Sequence, residues 1–114
     1  MYITVGNTKL SVELADTAAA KELYEKLENG SITLTLSNNH FEVWGPLGFT
    51  LTTQNEHITA EAGDVLLYAS SNICIFWGAN SYSYTRLGRI VDTSASQIKQ
   101  LLDKSSVTVT LSVD

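Results

Sequence analysis

Two apolar runs, Val65 to Tyr68 and Ile73 to Trp77, constrain this chain more than any other feature. A strand with one wet face alternates apolar with polar residues, so runs without alternation belong to strands covered on both faces. The intervening Ser70-Ser71-Asn72 tolerates a tight turn, and the two runs are expected to pair as an antiparallel hairpin. After Gly78 the pattern changes. From Ser81 to Leu87 the even positions carry Tyr82, Tyr84 and Arg86 against Ser, Ser, Thr and Leu, a period-2 strand with a polar-aromatic face. Arg86 and Arg89 would face opposite sides of an unbroken strand, and a bulge at Gly88 would bring them to one side.

The rest of the chain adds short elements of the same kind. Tyr2 to Val5 and Thr8 to Leu14 flank Gly6-Asn7 and predict a hairpin with Ile3, Val5, Leu10, Val12 and Leu14 inward. Asp16 or Thr17 caps a helix reaching about Glu28, with Leu23 and Leu27 on one stripe, Glu22 and Lys26 paired outside it, and Asn29-Gly30 at its end. Ser31 to Ser37 alternates with Ile32, Leu34 and Leu36 inward. Short strands are expected at Phe41 to Trp44 and Phe49 to Thr52, with Gly45-Pro46 turning between them, in a region suited to a rim or lid. Ser94 to Gln97 matches a capping box for a helix carrying Ile98, Leu101 and Leu102, and Val107 to Val113 alternates as a closing strand.

These patterns place the chain in the mainly β class. Many short antiparallel strands hide their edges best in a closed or nearly closed barrel of about eight strands, capped by two short α-helices; an open sandwich is the competing architecture. At 114 residues the expectation is one domain over residues 1–114. The charge balance, 7 basic against 12 acidic residues without a basic stripe, argues against nucleic acid as a partner. No apolar stretch is long enough for a spanning helix, and Met1 leads directly into strand-like sequence, so a cytoplasmic location without membrane partners is expected.

Three segments carry a resemblance to a known family: Glu61-Ala-Gly-Asp-Val-Leu-Leu-Tyr68, Ile75-Phe-Trp-Gly78 and Ser81-Tyr-Ser-Tyr-Thr-Arg-Leu-Gly-Arg-Ile90. Together with Trp44-Gly-Pro-Leu47, Leu51-Thr-Thr53 and the opening hairpin and helix, they resemble the bacterial cyclophilin-like domain family over nearly the whole chain. The resemblance implies an eight-stranded cyclophilin-type β-barrel capped by two helices, without an assigned activity. It also implies a flavodoxin-like domain as a possible protein partner, since some related chains are joined to one. Prolyl isomerase activity is not implied. True cyclophilins carry a Phe-His-Arg segment and a Gln-Gly-Gly-Asp segment, and Ser31 to Phe49 contains no arginine at all.

The chemistry-bearing residues favour binding over catalysis. His40, His57 and Cys74 are scattered over three segments, so neither a metal site nor a cofactor is expected. Cys74 lies in an apolar run that would raise its pKa, and no nucleophile elbow is present, so no catalytic residue is assigned. Arg86 beside Tyr82 and Tyr84 could hold a carboxylate, phosphate or peptide carbonyl. It could equally stack on Tyr84 or pair with Asp64 or Glu61, with Arg89 doing likewise near Asp92. If Trp44 and His40 fold over the barrel mouth beside Tyr82, Tyr84, Arg86 and Arg89, they form an apolar cleft with a cation. The expected function is a non-catalytic module that binds a peptide or small ligand in a groove near residues 82–89. The alternatives are a divergent prolyl isomerase using Arg86 or Arg89, and an oligomeric or redox-partner accessory domain, for which the Ser/Thr faces of Ser31 to Ser37 and Ser105 to Val113 allow edge pairing if the barrel is open.

Overall fold

The opening hairpin pairs β1 (Tyr2–Val5) with β2 (Thr8–Leu14) in a computed structural model that describes residues 1–114. Helix α1 (Ala18–Glu28) follows, with the Thr17 side chain accepting from the Ala20 N–H as N-cap. Strands β3 (Ile32–Asn38), β4 (Glu42–Pro46), β5 (Glu56–Ala60), β6 (Asp64–Tyr68), β7 (Asn72–Phe76) and β8 (Asn80–Val91) come next. Helix α2 (Ala95–Leu102) opens on the capping box of Ser94 and Gln97, and β9 (Ser106–Ser112) closes the chain.

Eight strands form a ring in the order β2-β1-β9-β3-β4-β7-β6-β8, and β8 pairs back onto β2. All pairings are antiparallel, so the fold is a closed barrel and not an open sandwich. Inward residues of the ring make one core with Leu23 and Leu27 of α1 and Ile98 and Leu102 of α2. The closed ring does not meet the condition, an open barrel, under which the Ser/Thr faces would offer a free edge. Strands β3 and β9 pair over Ile32 to Ser37 and Ser106 to Leu111, and Thr33 and Thr110 share a hydrogen bond across the ladder at 3.1 Å.

β5 stands outside the ring and pairs with β8 alone. The long β8 serves two partners: Asn80 to Tyr84 pair with β5, whereas Thr85 to Val91 belong to the barrel wall. The wall segment carries a bulge. Arg86 lies opposite Leu66 and Gly88 opposite Val65, so Leu87 is the extra residue. The bulge puts Arg86 and Arg89 on the same outer side, as the glycine suggested. The β5–β8 arm folds over the outer face of the wall and encloses a second core of Ile58, Ala60, Leu66, Cys74, Phe76 and Tyr84. Val65 to Tyr68 and Ile73 to Phe76 are therefore apolar without alternation because one face looks into the barrel and the other lies under the arm.

The region from Asn38 to Glu61 differs most from expectation. Gly45 and Pro46 end strand β4 and do not turn the chain, and no strand forms at Phe49 to Thr52. There the backbone finds other partners: Leu47 N–H and Leu51 N–H donate to the Ser71 and Ser70 carbonyls, both at 2.8 Å. Thr52 donates its N–H and its hydroxyl to the Glu22 carboxylate at 2.7 and 2.6 Å. These bonds hold the Glu22 pKa below the usual carboxylate range and replace the expected Glu22–Lys26 pair; Lys26 lies over the Phe49 ring instead. β5 was not foreseen because Glu-His-Ile-Thr-Ala buries only Ile58 and Ala60.

Candidate functional site

The outward side chains of the wall under the arm line a hollow of about 310 Å³. Strand alternation decides which they are: Val43, Ile73, Ile75, Val65 and Leu67 face the barrel core, so Glu42 and Trp44 of β4, Cys74 of β7 and Tyr68 of β6 face out. Asn80, Tyr82 and Tyr84 come from the arm, and Asn39 and Phe41 from the β3–β4 turn. That turn is set by a left-handed His40 (φ 70°), by Asn38 Oδ1 accepting from His40 N–H, and by Asn39 N–H donating to the Glu42 carbonyl at 2.8 Å.

Four rings stand at steep angles to one another around the opening. Trp44 and Tyr68 are perpendicular at 6.5 Å between centroids, Tyr68 lies 5.9 Å from Tyr82 and 6.3 Å from Tyr84, and Tyr82 and Tyr84 are 6.0 Å apart. Tyr82 forms the rim at 52% exposure, whereas Tyr84 is buried edge-on against Phe76. Asn80 Nδ2 donates to the Tyr84 hydroxyl at 3.1 Å. Burial raises the Tyr84 pKa, and that bond pulls it part of the way back.

Glu42 is the charged group that lines the hollow, and only 4% of it is exposed. Its Oε2 accepts from Asn39 Nδ2 at 3.1 Å, and its Oε1 has no hydrogen-bond partner. Burial pushes the carboxyl above its ordinary pKa; the Asn39 amide and, more weakly, the Cys74 thiol favour the anion against that push. Burial together with the neighbouring Glu42 carboxyl pushes the Cys74 thiol up, leaving it a small apolar residue. No group of three or more His, Cys, Asp or Glu is placed to hold a metal ion.

The candidate residues read from the sequence divide between two places. Trp44, Tyr82 and Tyr84 meet in the aromatic hollow. His40 shapes the turn beside it without lining it. Arg86 and Arg89 line a separate charged notch with Glu13, Glu61 and Asp64. There Arg86 Nε donates to Glu56 at 2.9 Å, and Arg89 donates to Asp64 at 2.6 Å and Glu61 at 3.0 Å. The acidic partners thus differ from those expected: Glu61 and Asp64 belong to Arg89, not Arg86, and Asp92 belongs to neither. Glu42, Tyr68 and Asn80 were missed. The available signal for Glu42 was its place two residues before Trp44 in a strand, which puts both on one face.

A sequence profile of the cyclophilin-like family matches residues 3–112, which is nearly the whole chain. The chain belongs to the cyclophilin-like family. No curated protein matches it. The eight-stranded ring with two helices is the architecture which that membership leads one to expect, so the family resemblance and the strand patterns agree. In this cyclophilin-like protein no helix is long and apolar enough to cross a membrane.

Proposed function

We propose that this cyclophilin-like protein is a binding module that takes a small ligand, or the end of a peptide side chain, in the aromatic hollow beneath the β5–β8 arm. The supporting observation is the convergence of Trp44, Tyr68, Tyr82 and Tyr84 from three strands on one concavity that also exposes a few polar groups, the usual make-up of a small-molecule site. The reading is also supported by the Cys74 thiol, whose ionisation burial opposes, and by the guanidinium groups of Arg86 and Arg89, which are bonded to carboxylates elsewhere. A divergent prolyl isomerase working through Arg86 or Arg89 would have to act in the separate charged notch.

A ligand screen by thermal shift tests the reading, with Trp44→Ala and Arg86→Ala run in parallel. A stabilising ligand is expected whose effect is lost in Trp44→Ala and kept in Arg86→Ala. Equal stabilisation of both variants would remove the hollow from the site.

A further inference from the structure

The hollow combines two features that point to one ligand class, an inference that rests on the binding role proposed above. The first is the ring arrangement. Trp44, Tyr68, Tyr82 and Tyr84 line one space at steep angles to one another, and aromatic rings around a site attract a large, weakly hydrated cation through their quadrupoles. The second is independent of the rings. Glu42 is nine-tenths buried, its Oε1 has no hydrogen-bond partner, and only the Asn39 amide and, more weakly, the Cys74 thiol offset its charge. None of the nine residues around the hollow is Lys, Arg or His, so no cation of the protein answers that carboxyl.

We infer that the hollow binds an organic ammonium group, quaternary or methylated, with the Trp44, Tyr68, Tyr82 and Tyr84 rings around it and the Glu42 carboxylate as its counter-charge. A small inorganic cation would demand several oxygen ligands, and the site offers one carboxyl, two amides and phenol hydroxyls among apolar walls. A bulky ammonium keeps little of its hydration shell to lose. An ionised Glu42 offers the cation a full counter-charge and a protonated one does not, and burial raises its pKa, so binding should tighten as pH rises through the Glu42 titration. The other titratable groups that line the hollow with Glu42 are Cys74 of β7, Tyr68 of β6, and Tyr82 and Tyr84 of β8. Cys74 and Tyr84 have raised pKa values, so neither adds a charge change in that range.

The test is a titration followed by the NMR resonance of the Trp44 indole N–H, at matched ionic strength in sodium chloride. The probes are choline, its neutral isostere 3,3-dimethylbutan-1-ol, and a short peptide bearing trimethyllysine. Saturable choline binding at least tenfold tighter than the isostere is expected, and Glu42→Gln should weaken choline about tenfold while leaving the isostere unchanged. The peptide arm reports whether the ammonium is best presented free or on a side chain. If the isostere binds as well as choline, the hollow takes apolar groups: the binding module survives and the cation assignment falls. If none of the probes moves Trp44 at tens of millimolar, the cation assignment also falls, and the thermal-shift screen alone decides the binding role. Tyr82→Ala, at an exposed position, supplies a second variant if Glu42→Gln fails to fold; unchanged choline affinity in it would overturn the ring assignment.

Discussion

Gly88 passes so close to β2 that a Cβ built on it would stand 2.6 Å from the Glu13 carbonyl oxygen and 2.9 Å from Val12 Cγ1. The contact lies where β8 and β2 close the ring, one residue past the bulge at Leu87. A backbone oxygen cannot rotate away as a side-chain tip can, so the ring itself must open to admit a methyl group.

Gly88→Ala is therefore expected to destabilise the protein by about 1–3 kcal/mol, the usual range for overpacking a close contact. Urea denaturation of the variant should show a lowered midpoint with an unchanged slope. Stability equal to the parent protein would mean that the strand closure is looser than the geometry describes.

Much of the barrel was legible because its signals are local. The turn residues at Gly6-Asn7, the alternation at Ile32, Leu34 and Leu36, and the capping box at Ser94 each specify an element without reference to the rest of the chain. The arm was not, since β5 buries two side chains and finds its partner more than twenty residues later. The doubly apolar β6 and β7 carried half of that information: they said that something covers the outer face, without saying what. Trp44, Tyr82 and Tyr84 were readable as aromatic candidates. Their separation from Arg86 and Arg89 was not, because it depends on which carboxylates the folded chain brings to each guanidinium.

The two arginines should behave differently on truncation. Arg86 and Glu56 are both about half exposed, and such a pair contributes at most about 1 kcal/mol, so Arg86→Ala should lie near the parent protein. Arg89 bonds Asp64, whose side chain is 9% exposed and whose other oxygen accepts from Glu61 N–H. Its removal strands one oxygen of a nearly buried carboxylate, and Arg89→Ala should cost about 1.5–3 kcal/mol. Denaturant midpoints of the two variants measure the difference; equal losses would refute it.

The thiol of Cys74 offers a probe of the arm. It is 1% exposed and its ionisation is opposed by burial and by Glu42, so the native protein should react with iodoacetamide at pH 8 on the order of 100-fold more slowly than the unfolded chain. Phe76→Ala, which removes the ring that Tyr84 packs against, should lift the arm and speed the reaction. Fast labelling of the parent protein would show the arm open.

Glu42 makes the pH dependence of stability run opposite to that of a paired carboxylate. Its folded pKa is raised above the unfolded value near 4.5, so between the two the native state binds more protons than the unfolded chain. Stability from this group is complete below the unfolded pKa and falls as pH rises through the folded one. Glu42→Gln keeps the shape and the bond from Asn39 but removes the charge, so the variant should match the parent protein at low pH and exceed its stability at neutral pH. Urea unfolding across pH 4 to 8 would show the two curves diverging upward from the unfolded pKa. If they ran parallel instead, water would be reaching the carboxyl, and the charge that the hollow offers to a ligand would already be solvated.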